Sequence, residues 1–163
     1  MLDELKKRWF CSQVSGLKNC MYALAMSILK NDADAEDAIQ NALLSAYEHL
    51  EDLRLFDKIK PWILTILTRE CYRIAGSREY PVDIDTISLA DEPVEDLDTK
   101  TSVWEAVSRL EPGYREIVIL FYYENLSTRD IAAILNLSED NVRKRLSRAR
   151  ATLRTLLDKE DFT

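Results

Sequence analysis

The stretch from Leu126 to Leu157, LSTRDIAAILNLSEDNVRKRLSRARATLRTLL, decides how this chain is read. It divides into two helical runs about a short polar break. In the second run Ser138 stands where a helix N-cap belongs, and Glu139 and Asp140 follow in the first turn, where the helix dipole favours negative charge. Val142, Leu146, Ala149 and Leu153 then recur at helical spacing and build one apolar stripe. Asp140, Lys144, Ser147 and Ala151 fall opposite that stripe, flanked by Arg143 and Arg154 on one side and by Asn141 and Arg148 on the other. One face packs; the other offers cations and hydrogen-bond donors. In the first run Ser127 or Thr128 can cap, and Ile131, Ala132, Ile134 and Leu135 form the buried side. Asn136 suits the left-handed conformation that ends a helix, a position more often given to Gly. A solvated basic surface helix would share the charges of the second run, but not the capped, half-apolar helix before it. The pair matches a helix-turn-helix that lays its second helix in a DNA major groove.

The rest of the chain bounds what surrounds this motif. Its 163 residues suffice for one ordinary domain or two small helical ones, and 47% apolar content supports a packed core. Only three Gly and four Pro occur and β-branched runs are few, so an all-α fold is expected. No stretch approaches the ~20 uninterrupted apolar residues of a membrane span, so no membrane insertion is expected. The opening MLDELKKRWF mixes acids with its bases and leads into no long apolar segment, unlike a secretory signal. Cys11, Cys20 and Cys71 are odd in number and lack a CxxC pair, which predicts reduced, buried thiols in a cytoplasmic protein. With His49 as the one histidine, no metal site is expected. No cofactor is implied.

A net charge of −7 argues at first against nucleic acid. Its distribution removes the objection. Residues 1–76 carry ten basic and eleven acidic side chains, residues 101–163 carry ten of each, and residues 77–100 carry two basic against eight acidic. Within 138–154 six basic residues face two acidic ones. The local field governs phosphate contact more than the total does. The acidic segment SREYPVDIDTISLADEPVEDLDTK, with two prolines and no sustained helical period, reads as a linker. Its composition fits both a solvated tether and an acidic strand that mimics nucleic acid.

The N-terminal part reads as a second helical domain. One helix is expected over much of Leu2 to Gln13 and another from about Leu17 to Leu29. In NDADAEDAIQNALLSAYEHL, Asp32 or Asp34 can cap, and Ile39, Ala42, Leu43, Ala46 and Leu50 make the core stripe. The opposite side carries Asp37, Gln40, Asn41 and Glu48, with Leu44 among them as an apolar docking candidate, although single exposed leucines are common. After a loop, EDLRLFDKIK, Pro61 opens PWILTILTRECYRIAG. There Trp62, Ile63, Ile66, Leu67 and Ile74 are expected in the core, Arg69 and Arg73 share a ridge, and the helix ends near Gly76.

The runs NDADAEDAIQNALLSAYEHL and KPWILTILTRECYR resemble the N-terminal domain of bacterial extracytoplasmic-function sigma factors of the sigma-70 family. The run LEPGYREIVILFYYENLSTRDIAAILNLSEDNVRKRLSRARATLRTLL resembles their C-terminal domain. The C-terminal half alone also resembles unrelated regulators; the ordered pair, over about four-fifths of the chain, is specific. The resemblance implies a protein without catalytic activity that binds RNA polymerase core and directs promoter-specific initiation. It implies three units: residues 1–76 for core binding and −10 recognition and melting, a linker over 77–100, and residues 101–163 for −35 recognition. Asp34, Glu36, Asp37, Gln40, Asn41 and Leu44 would dock on the β′ coiled coil. Phe56, Asp57, Lys58, Lys60 and Trp62 would hold the melted −10 strand, with Arg69 and Arg73 on its backbone, as cations and aromatic groups hold single strands. Asn141, Arg143, Lys144, Ser147 and Arg148 would read the −35 duplex. The C-terminal domain would also pack on the β flap, the linker would thread the polymerase channel, and an anti-sigma factor would hold the free form inactive.

Some positions depart from the family pattern. Thr68-Arg69 and Tyr72 stand where an Asn-Arg pair followed by Asp is usual, and few cations follow before Gly76. Asp140-Asn141 replaces a usual Gly-Thr pair, and Asp140 would repel phosphate unless it accepts from a cytosine amino group. Trp62 fits the core better than a stacking surface. Two other classes of function compete: a helix-turn-helix repressor or activator acting without polymerase, and an enzyme, for which GxSxG, P-loop and HExxH patterns are all missing from the sequence.

Overall fold

The structure, a computed structural model, describes residues 2–54, 56–76 and 103–161. Seven α-helices run through the described residues and no strand occurs among them. The first three are α1 (Leu2–Leu29), α2 (Asp32–Glu48) and α3 (Ile59–Ala75). Short 3-10 turns at Leu50–Asp52 and Phe56–Lys58 join α2 to α3. Then come α4 (Val103–Ser108), α5 (Pro112–Val118), a π-helical turn (Ile119–Tyr123), α6 (Thr128–Leu135) and α7 (Glu139–Asp161). The all-α reading holds, as does the helix-turn-helix of α6 and α7. The linker reading of residues 77–100 falls outside the described residues.

Helix α1 corrects the expectation of two helices broken between Gln13 and Leu17. A mid-helix Gly costs about 0.5–1 kcal/mol, and nothing lies within 4 Å of where a Cβ on Gly16 would stand. Against that cost, Phe10, Val14, Leu17, Met21, Leu24 and Ile28 form one unbroken buried stripe, and each such side chain contributes about 1.5–3 kcal/mol. Burial wins. Cys20 and Cys71 are buried and their thiols are pushed up to about 12 by desolvation. Cys11 is exposed, against expectation, because it sits one step round from the stripe that Phe10 and Val14 hold.

Helix α2 is capped by Asn31, whose side chain accepts from the Asp34 backbone N–H at 3.0 Å, so Asp32 and Asp34 are first-turn acids rather than caps. Its packing face is small: Ala35, Ala38, Ala42 and Ala46 are wholly buried, while Ile39 and Leu43 are only half-buried. Helix α3 starts at Ile59, two residues ahead of Pro61. Proline is tolerated there because a first-turn N–H has no intrahelical acceptor. Ile63 and Leu67 are buried as expected, together with Leu64 and Cys71, whereas Trp62, Ile66 and Ile74 are half-buried against the core.

The two helical groups pack on each other. Helix α3 lies against α6, and α1 lies against α5 and the π-helical turn. The buried core is accordingly contiguous, running from Phe10 to Ala149.

Candidate nucleic-acid interface

Local chemistry fixes the helix-turn-helix. The Ser127 hydroxyl accepts from the Asp130 N–H at 3.1 Å and starts α6. Asn136 ends it in the left-handed conformation (φ 56°, ψ 49°), and its N–H donates to the Ala132 carbonyl. The Leu137 N–H reaches the same carbonyl at 2.9 Å. Ser138 then accepts from the Asn141 N–H at 3.1 Å and caps α7. Val142, Leu146 and Ala149 are buried beneath α7 and Leu153 is half-buried.

This leaves Asp140, Arg143, Lys144, Ser147, Arg148 and Ala151 exposed along the opposite face, with Asn141 half-buried at its margin. Arg143 folds back over the first turn, donating to Asp140 at 3.2 Å and to Glu139 at 2.8 Å. Asp140 therefore has a cation of its own chain beside it, which tempers its repulsion of phosphate. Arg150 is drawn off this face: its Nε donates to the Tyr122 hydroxyl at 2.6 Å, and its guanidinium lies over the Phe121 and Tyr122 rings. Exposed cations over a buried apolar stripe can meet phosphate and base edges together.

The sequence-predicted −10 residues lie along one edge, from the 3-10 turn into α3. Phe56 is 67% exposed and meets Trp9 edge-on at 5.3 Å between ring centroids. Asp57, Lys58 and Lys60 are exposed, and Trp62 is half-buried. Lys58 donates to both carboxylate oxygens of Asp130 on α6 at 3.3 Å. On the far half of α3, Arg69 is exposed and Arg73 is clamped to Glu70, which holds that carboxyl below its usual range and raises the guanidinium. Of the docking candidates on α2, Glu36, Asp37, Gln40, Asn41 and Leu44 are exposed and Asp34 is half-buried. Asn41 donates across to Glu70 at 3.1 Å. Leu44 is 62% exposed among these polar groups.

Sequence reasoning missed the polar groups between the two bundles. Arg115 on α5 donates to the Ser27 hydroxyl and carbonyl on α1 at 2.9 and 2.8 Å. Tyr72 on α3 donates to Glu116 Oε2 at 3.3 Å. Glu116 and Arg145 are 2% and 7% exposed, and Glu116 Oε1 and Arg145 Nε are buried without a hydrogen-bond partner among the described residues. Burial pushes the Glu116 carboxyl up to about 8, although the Tyr72 hydroxyl, Arg115 and Arg145 all pull it down. Both positions carried a signal. Glu116 interrupts the apolar run to Tyr123, and Arg145 shares the packing side of α7 with Val142, Leu146 and Ala149.

Comparison with known proteins adds an independent line. The family model described as sigma-70 region 2 matches residues 14–78, and the one described as sigma-70, region 4 matches residues 100–153. The RNA polymerase sigma factor SigV of Bacillus subtilis is 32% identical over 90% of this chain and 89% of its own length. The ECF RNA polymerase sigma factor SigM of the same organism is 27% identical over 86% and 90%. Among solved structures, the sigma factor RpoE of Bartonella quintana, in complex with the anti-sigma factor NepR, superposes with a TM-score of 0.68. That match has 29% identity and covers 93% of this chain and 98% of that one.

Proposed function

Because the chain belongs to the extracytoplasmic-function sigma factors of the sigma-70 family, which direct promoter-specific initiation by RNA polymerase, we propose how its surfaces divide that work. Residues 101–163 read the −35 element as duplex. Asn141, Arg143, Lys144, Ser147 and Arg148 make the contacts, some to base edges and others to phosphate. The observation that carries this reading is the exposed face of α7, where cations and small polar groups stand opposite Val142, Leu146 and Ala149.

Residues 1–76 bind the polymerase and take the melted −10 strand. Asp34, Glu36, Asp37, Gln40, Asn41 and Leu44 meet the β′ coiled coil, and the exposure of Leu44 within a polar face supports that role. Phe56, Asp57, Lys58 and Lys60 hold the single strand, with Arg69 and Arg73 along its backbone. Trp62, half-buried against the core, contributes through its exposed part. Residues 77–100 are the connecting segment in the polymerase channel, and the C-terminal domain also meets the β flap. The protein works in the cytoplasm, has no catalytic activity of its own, and is restrained by an anti-sigma factor; the NepR complex of the Bartonella protein supports that partner.

Run-off transcription with purified core polymerase is the test. The intact chain is expected to start transcripts at a defined promoter, whereas Lys144→Ala with Arg148→Ala is expected to remove that start. A repressor acting on duplex DNA alone would bind its site and start nothing.

A further inference from the structure

The joint between the two helical groups sets cations of one against acids of the other. Two lysines assigned above to the −10 strand face acids of the C-terminal domain. Lys58 is bound to Asp130, and burial raises the Glu124 carboxyl while the charge of Lys60 pulls against that rise. Arg115 ties α5 to Ser27 of α1. The arrangement cannot serve at a promoter. The −10 and −35 elements are about 25 base pairs apart, or about 85 Å of duplex at 3.4 Å per step. A bundle of about 70 residues has a radius of gyration of only about 11 Å, so bundles in direct contact leave their readers far too close. Reading both elements requires the joint to open.

At the centre of the joint sits Glu116. It faces Tyr72 and Cys71 of α3, Arg145 of α7 and its neighbour Arg115. One oxygen accepts from Tyr72 across the joint, and the other has no partner among the described residues. A buried carboxylate left half-satisfied is costly, and a proton on the unpartnered oxygen removes the charge. Parting α3 from α5 would admit water and let the group ionise.

We infer that Glu116 makes the joint a proton-operated latch: the closed chain holds a proton on this carboxyl, opening releases it, and rising pH therefore favours the open form. The sign follows from linkage. The closed-form value of about 8 lies above the ordinary 4.5, so the closed form binds more protons between those limits. Each pH unit there shifts the balance toward opening by up to about tenfold.

The test uses the full chain with Cys11→Ser and dyes attached at Glu48→Cys and Asp158→Cys, both at exposed positions, leaving the buried Cys20 and Cys71 in place. Energy transfer between the dyes is expected to fall within about pH 4.5 to about pH 8, between the ordinary and closed-form values. Glu116→Gln, which mimics the protonated acid, should remove most of that fall, while Glu124→Gln should keep it. Tyr72→Phe retains the carboxyl but loses a bond that spans the joint, so it should move the transition to lower pH. A native chain with no change over this range overturns the latch. So does a Glu116→Gln chain that keeps the whole fall, or a Tyr72→Phe chain with an unmoved transition. The inference borrows the promoter roles assigned above only for its consequence. Since the experiment uses neither polymerase nor DNA, its failure would leave those roles standing.

Discussion

Helices α2 and α7 solve the same problem with opposite chemistry. Each buries one face and leaves the other exposed, yet α2 packs through four alanines while α7 packs through Val142, Leu146 and Ala149. The outer face of α2 is acidic around one exposed leucine; that of α7 is cationic, with Arg143 braced against its own first turn. Small buried side chains let α2 lie close on α1 and α3 and make it a firm platform. Larger ones hold α7 on α6 and leave its long cations room to reach a groove. The packing face sets how firmly each helix is held, and the sign of the outer face sets what it can meet.

The comparison breaks most visibly if the packing face of α7 is hollowed. Leu146→Ala is expected to lower stability by about 2–5 kcal/mol, read by urea unfolding, and to abolish duplex binding with every exposed cation in place. Ala42→Leu should cost somewhat less, about 1–3 kcal/mol of overpacking strain, and should weaken polymerase binding first. Equal and negligible costs at both sites would remove the packing half of the argument. On the outer faces, Lys144→Ala with Arg148→Ala is expected to weaken −35 duplex binding about tenfold to a hundredfold and to reduce the salt slope by about two. Titration by fluorescence anisotropy at several salt concentrations measures both; unchanged affinity refutes the assignment. Asp37→Asn with Leu44→Ala should reduce affinity for core polymerase about tenfold, while duplex binding by the same chain stays as it was.

The fold was legible wherever one periodic stripe decided an element. In α7 the apolar stripe and the outer face followed from the spacing of Val142, Leu146 and Ala149, and the cap from the Ser138 side chain, while Arg145 on the packing side was missed. At Asn136 the side-chain chemistry predicted the backbone. Legibility failed where long-range packing outvoted a local signal. Gly16 looked like a break, but the stripe on either side of it was continuous. Asp32 and Asp34 looked like caps, but Asn31 reached the free N–H first. The candidate surfaces were found from charge and resemblance, whereas the joint was not, because its partners are far apart in sequence: Lys58 with Asp130, Tyr72 with Glu116, Ser27 with Arg115. No window of one chain reports such pairs. Only the oddity of an acid within an apolar run hinted that Glu116 had somewhere specific to go.

The caps offer the finest distinction between the two helices' surroundings. Ser127 caps α6 and Asn31 caps α2, each through one side-chain oxygen on one backbone N–H, at 3.1 and 3.0 Å. Replacing such a cap by Ala costs about 1 kcal/mol, so Ser127→Ala and Asn31→Ala should differ little in global stability by urea unfolding. Their local consequences should diverge. Helix α6 has eight residues and α2 has seventeen, and helices shorter than about 12 residues scarcely persist without support. Fraying at Ser127 therefore reaches Ile131, whose packing holds the turn and with it the angle of α7, while fraying at Asn31 reaches Ala35 on a helix that Ala38, Ala42 and Ala46 still hold beyond it. Ser127→Ala is expected to lower duplex affinity about twofold to fivefold, in line with the ~1 kcal/mol cap, and to speed amide exchange across α6. Asn31→Ala should leave both unchanged. Matching losses from the two substitutions would mean that α6 is held by its neighbours rather than by its cap.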